Sequence, residues 1–251
     1  MAMEIDLPKP EVLFRAAEDG DASLFASLSR EALDRARSLR NEDGRSLLHV
    51  AASFGRSEAS PHRCFANCVT LIVVDVISAS DPSINGVNSK DEEGWAPIHS
   101  AASIGNAEII EILLSRGGDV NLINDGGRTA LHYAASKGWL KVAEVLISHG
   151  AKINKKDKVG CTPLHRAAST GKSELCELLI EEGADVDVVD KAGQTPLVHA
   201  VICQNQQVAL LLLRHGADLD VEDKEGYTAL GRASDDFRRI LIDAAKAMLE
   251  G

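Results

Sequence analysis

Four histidines, His49, His99, His132 and His165, each stand five residues after a glycine: Gly44, Gly94, Gly127 and Gly160. Imidazoles can ligate metals or relay protons, but either task needs several groups converging on one point. Set one per recurring unit, these four are held apart, and a structural role is expected. Each should bond the turn backbone and, for His132 and His165, the hydroxyl three residues earlier on Thr129 or Thr162. His62, Cys64 and Cys68 could imitate a metal site, yet no fourth ligand stands at zinc-like spacing. Cys161, Cys176 and Cys203 fall in different units, and Cys176 lies on an apolar helix face as a small core residue. The acidic pairs Glu92-Glu93 and Glu181-Glu182 are adjacent in turns rather than opposed across a cleft, so they read as solvated charge. No G-x-S-x-G, H-E-x-x-H, phosphate-loop or dinucleotide fingerprint occurs. The expectation is a protein that is not an enzyme and has no cofactor and no metal.

The elements that position these residues are turns set on a ladder. Gly44, Gly94, Gly127, Gly160, Gly193 and Gly226 recur, with the last four steps 33 residues each and the first 50. Around them the same text returns: D-E-E-G-W-A-P-I-H-S-A-A at 91–102, N-D-G-G-R-T-A-L-H-Y-A-A at 124–135 and D-K-V-G-C-T-P-L-H-R-A-A at 157–168. A tight turn ends at each ladder glycine, where positive φ costs only glycine little. A first helix follows, with Pro97, Pro163 and Pro196 at its first position, where the missing N–H is no loss. A glycine eleven residues past the ladder (Gly55, Gly105, Gly138, Gly171) ends it. The second helix carries apolar residues at helical spacing, such as Ile109, Ile112 and Leu113, and ends at Gly117, Gly150, Gly183 or Gly216. A strand-like tail (D-V-N, K-I-N, D-V-D, D-L-D) leads into the next turn.

A period of 33 residues with a T-P-L-H-x-A-A core resembles ankyrin repeats. The resemblance implies an all-α repeat fold, a solenoid of about seven helix–turn–helix units with β-turn tips. The expected repeats are 9–41, 42–91, 92–124, 125–157, 158–190, 191–223 and 224–251, in one domain over 1–251. The end units differ, as capping repeats do. The first has Gly20 in the place of the helix-ending glycine but no turn glycine; the last has Gly231 in the histidine slot, Phe237 in the helix-ending slot and a second helix over 238–249. The sixth unit looks weakened, because His199 is displaced by one. The second unit is 17 residues too long. Removing Ala59 to Ile72 joins Gly55-Arg56-Ser57-Glu58 to Val73-Val74-Asp75-Val76-Ile77 as one ordinary second helix, so that segment reads as an insert from alternative splicing or an imperfect gene model.

Composition narrows the partners. Hydrophobic residues make up 45% of the chain and aromatic ones only 4%, which suits a Leu, Ile, Val and Ala core between short helices. Net charge is −11 with no basic run, so neither nucleic acid nor an anionic membrane is an expected partner. A basic protein surface is. The odd count of five cysteines points to a reducing compartment, and the start M-A-M-E-I-D-L-P-K-P carries no apolar signal segment. Cytoplasmic and nuclear residence is expected, with the free protein a monomer.

Where the fold leaves positions free, the tips carry the information. The first three present acid with Arg or Trp: Asp43 and Arg45; Asp91, Glu92, Glu93 and Trp95; Asp125 and Arg128. The later tips present Lys158, Lys191 and Lys224. Trp95 is the kind of residue that anchors interfaces. Tyr133, Lys137 and Arg166 add to the same expected concave, protein-binding face. Seven units, D-E-E-G-W-A-P-I-H-S-A-A-S-I-G-N, G-R-T-A-L-H-Y-A-A-S-K-G and a Met-Leu-Glu-Gly terminus together resemble the gankyrin-like proteins, in a plant-type form. That resemblance implies a proteasome regulatory-particle assembly chaperone. Such a protein grips the C-terminal domain of an AAA ATPase subunit, with the acidic tips facing basic ATPase residues. The alternative is an ankyrin-type regulator of a kinase or a transcription factor.

Overall fold

The computed structural model describes residues 7–54, 71, 73–78 and 86–249. Its elements run α1 (Pro10–Asp19), α2 (Ala22–Ser27), α3 (Arg30–Arg37), α4 (Leu47–Phe54), a helical stretch α5 (73–78), α6 (Pro97–Ile104), α7 (Ala107–Ser115), α8 (Ala130–Lys137), α9 (Leu140–Ser148), α10 (Pro163–Ser169), α11 (Ser173–Glu181), α12 (Pro196–Ile202), α13 (Gln206–Arg214), α14 (Ala229–Arg232) and α15 (Asp235–Leu249). The chain divides into two compact units. Unit 1 is Met1–Asp125 with Ser148–Gly150, and unit 2 is Gly126–Ile147 with Ala151–Gly251.

Within each unit, short helices pair as the repeat text requires. Proline opens α6, α10 and α12 at its expected position. Gly105 and Gly138 close α6 and α8 in the left-handed conformation. The alanine pairs Ala101-Ala102, Ala134-Ala135 and Ala167-Ala168 are all buried, which lets the first helices within each unit approach closely. In unit 1, α4 packs on α1 and α6; in unit 2, α10 packs on α8 and α12. Apolar residues of the second helices, among them Ile109, Ile110 and Leu113 in α7 and Val142 and Leu146 in α9, complete the core. Removing such a leucine to alanine costs about 2–5 kcal/mol in a close-packed interior.

The ladder glycines are needed twice over. Gly94 has φ 73°, and a Cβ on it would meet the Asp125 amide nitrogen at 2.7 Å. Gly127 has the same φ and would meet the Lys158 nitrogen at 2.8 Å. Both close approaches let one turn bond the next: the Asp125 amide donates to the Glu93 carbonyl at 3.2 Å, and the Lys158 amide to the Gly126 carbonyl at 2.9 Å.

Four local expectations change. The tails are not strands among the described residues. Their asparagines link neighbouring loops instead: Asn154 donates to the Gly183 carbonyl at 3.0 Å and accepts from the Asp185 amide at 3.0 Å. The second helix of the first repeat is broken into α2 and α3, because Leu28 turns extended and the Ser29 hydroxyl caps a new start by accepting the Ala32 amide at 3.2 Å. In the fifth repeat α10 stops at Ser169, before Gly171. In the last repeat the second helix begins at Asp235, so Phe237 is a fully buried core residue inside α15 rather than a helix end. Arg238 does the terminal work there, donating to the Leu230 carbonyl at 2.9 Å and the Ala233 carbonyl at 3.1 Å.

Apart from Leu71, the segment 59–72 lies outside the described residues, as does Gly55. Beyond it Val73, Val74 and Ile77 are buried in α5 as the repeat register requires, although all three are β-branched. Among the described residues no helix is long and apolar enough to cross a membrane.

Candidate functional site

The histidine ladder is structural at both ring nitrogens. Thr129 and Thr162 hydroxyls lie 2.9 Å from Nδ1 of His132 and His165, and the Thr129 and Thr162 amides donate to the same nitrogens at 3.1 Å. Nε2 of His49 reaches the Trp95 carbonyl at 2.8 Å, that of His132 the Cys161 carbonyl at 3.1 Å, and that of His165 the Gln194 carbonyl at 3.0 Å. His99 differs, turning its Nε2 to the Leu122 carbonyl at 2.9 Å. Burial first, opposed by those carbonyls, holds His49, His132 and His165 down to about 4. They are neutral rivets between repeats, not acids or ligands.

In unit 1 the sequence-selected tip residues gather. Asp43, Arg45, Asp91, Glu92, Glu93 and Trp95 line one cleft of about 420 Å³, with Ser53, Ser100, Ser103 and Ile104 behind them. The turn builds it from the backbone outward. Asp91 Oδ1 accepts the Glu93 amide at 3.1 Å and the Trp95 amide at 2.7 Å, which fixes the tip and aims Glu92 and Glu93 outward. Glu92 and Glu93 are exposed, whereas Trp95 is half-buried with its ring edge-on to His99, centroids 6.1 Å apart. Asp125 is exposed at the next tip, over Gly94. Among the described residues none of Asp43, Asp91, Glu92, Glu93 or Asp125 is held in an ion pair.

In unit 2 the selected residues have other engagements. Arg166 pairs with Asp157, and Arg128 Nε stands 3.5 Å from the same carboxylate. Tyr133 is half-buried on α8, and Lys137 is exposed at its end. The Asp157 side chain is 1% exposed; its Oδ1 caps the turn through the Val159 and Cys161 amides at 3.0 Å. Burial opposes its ionisation, but Arg166 and the two amides outweigh that and hold the carboxyl below its usual range. Two similar clamps follow: His199 Nε2 to Asp190 Oδ2 at 3.0 Å, and Arg232 Nε to Asp223 Oδ2 at 2.8 Å.

These clamps were missed in the sequence, though the signal was there. Each links the residue three before a ladder glycine to the residue six after it: Asp157 to Arg166, Asp190 to His199, Asp223 to Arg232. His199 is therefore the sixth repeat's clamp rather than a slipped ladder histidine. Val198 takes the ladder place there, and the Thr195 hydroxyl caps α12 by accepting the Val198 amide at 3.3 Å. Cys161, which sits at a tip position the fold was expected to leave free, is buried at 2% exposure beneath the next turn.

The family model for ankyrin repeats, described as three copies, matches residues 59–157 and 164–250. The chain belongs to the ankyrin-repeat family. An ankyrin repeat-containing protein of Schizosaccharomyces pombe is 49% identical over 35 residues, 14% of this chain and 17% of that protein. An ankyrin and IPT/TIG repeat-containing protein of the same yeast is 36% identical over 86 residues, 34% of this chain and 6% of its own length. Alpha-latrotoxin-Lh1a of Latrodectus hasselti is 34% identical over 80 residues, 32% of this chain and 5% of its own. The chain thus spans under a fifth of each of these relatives. Ankyrin repeats are protein-binding scaffolds, and the family is in general a non-enzymatic interaction module.

Proposed function

We propose that this ankyrin-repeat chain is an assembly chaperone of the proteasome regulatory particle, which holds the basic C-terminal helical domain of one AAA ATPase subunit against the acidic tips of unit 1. The observation that carries the reading is the cleft of Asp43, Asp91, Glu92 and Glu93 around Trp95. Carboxylates without ion-pair partners keep their field for an incoming cation, steer its approach and penalise acidic competitors. A half-buried tryptophan beside them supplies the apolar anchor that such a contact needs for affinity. The chaperone is non-enzymatic, is a monomer when free, and works in cytosol and nucleus.

The test is an affinity pull-down from source-cell extract, read by mass spectrometry, with the full chain and with a Glu92→Lys/Glu93→Lys double variant. The expected result is one proteasomal ATPase with regulatory-particle base subunits, little core particle, and loss of all of them in the variant. Enrichment of a kinase or a transcription regulator without proteasome subunits would replace this reading with the regulator one.

A further inference from the structure

We propose that Cys161, Asp190 and His199 in unit 2 form a binding site for one borderline-soft divalent cation of the zinc type. Their ligand atoms, one thiol sulfur, one carboxylate oxygen and one imidazole nitrogen, all lie within 4.8 Å of one another. Cys161 Sγ stands 3.8 Å and His199 Nε2 3.0 Å from the same oxygen, Asp190 Oδ2. Tetrahedral zinc with nitrogen, oxygen and sulfur ligands needs separations of about 3.3–3.6 Å, so small side-chain shifts suffice.

The comparison within the repeats sharpens the argument. The same slot recurs at Asp157, where the residue after the previous ladder glycine is Arg128 and the clamp residue is Arg166. There two permanent cations face one buried carboxylate. At Asp190 the corresponding residues are Cys161 and His199. Both guanidinium positions are thus filled by groups that carry no positive charge, a thiol and an unprotonated imidazole, and the thiolate and the imidazole are both zinc ligands. A divalent ion would restore the countercharge that arginine supplies one repeat earlier.

The remaining chemistry fits. Asp190 Oδ1 is already committed to the Ala192 and Gln194 amides at 2.8 and 2.9 Å, which orients Oδ2 toward the ion. That hydrogen bonding is the outer support metal carboxylates need. Neighbouring His165 is not a competitor, since both of its ring nitrogens are bonded elsewhere. Asp190 and His199 side chains are 8% and 18% exposed, so an ion can reach them from solvent and take water as its fourth ligand. Burial pushes the Cys161 thiol up to about 11, so binding must displace its proton to solvent as the sulfur–metal bond forms.

The experiment is titration of the reduced full-length chain with Co²⁺, followed by Zn²⁺ back-titration. The proposal predicts a thiolate-to-cobalt charge-transfer band that saturates at one ion per chain and is bleached by Zn²⁺. Cys161→Ser should weaken binding at least about 10-fold. His199→Arg provides a folded control, because arginine fills that place at Arg166 and Arg232; it should abolish the band while keeping or raising the melting temperature. A Cys64→Ser/Cys68→Ser variant should retain the band. Absence of a thiolate band at millimolar Co²⁺ would overturn the proposal. So would a band that survives His199→Arg or disappears with Cys64 and Cys68.

Discussion

The turn aspartates of the two units share one backbone task and differ in what their second oxygen meets. Asp91 and Asp157 each cap a tip through two amides. Asp157 is then clamped by Arg166, with Arg128 close by, whereas the residue in the clamp place of Asp91 is the buried Ser100. The same fold therefore turns a carboxylate inward as cement in unit 2 and leaves it facing a cleft in unit 1. Surface charge by itself does not mark a binding site; charge without an internal partner is the better guide.

The largest effect should come from what the units have in common. Burial keeps His49, His132 and His165 unprotonated in the folded chain to about pH 4, while unfolded imidazoles take up protons near 6.5. Between those values the unfolded state binds more protons. Stability is complete above pH 6.5 and falls as pH drops toward 4, with a slope on the order of 1.4 kcal/mol per pH unit for each histidine. Urea midpoints between pH 7.5 and 4 (about the span of that titration) would measure it, and a flat profile would remove the neutral-rivet account from both units.

The second effect separates the units. Asp157→Ala removes the partner of Arg166 and the acceptor of two amides and should cost about 3 kcal/mol in urea unfolding. Asp91→Ala loses only the turn cap and should cost about 1 kcal/mol. Equal losses would erase the distinction between the units. Binding should show the reverse order. Trp95→Ala should weaken the partner by about 2 kcal/mol or more by calorimetry while leaving the melting temperature nearly unchanged; an unaltered dissociation constant would take Trp95 out of the site. The smallest effect is kinetic: association with a basic partner should slow as ionic strength rises, and a salt-independent on-rate would argue against steering by Glu92 and Glu93.

Much of this was legible in the sequence because the repeat writes each position several times. Gly94, Pro163 and His132 could be placed in a turn, at a helix start and at a buried hydrogen bond from their recurrence alone. The histidine's second bond was not visible, because it goes to a carbonyl of another turn, Cys161 for His132, and any residue offers a carbonyl. The tail K-I-N reads as strand-like in the sequence, and only the side-chain bonds of Asn154 to Gly183 and Asp185 show a loop. Phe237 was misplaced because the terminal repeat abandons the glycine end and lets Arg238 cap α14 instead. For the site, Asp43, Glu92, Glu93 and Trp95 were found together; Arg128 and Arg166 were chosen for their charge, which Asp157 already uses.

The most direct test of the central claim is a calorimetric titration of the recombinant C-terminal domain of each proteasomal ATPase subunit into the full chain and into two charge-reversal variants, Glu92→Lys/Glu93→Lys in unit 1 and Lys158→Glu/Lys191→Glu in unit 2. The account predicts that one domain binds, that the unit 1 reversal abolishes binding, and that the unit 2 reversal leaves it within a few-fold. Binding that survives the unit 1 reversal, or is lost only with the unit 2 reversal, would contradict it.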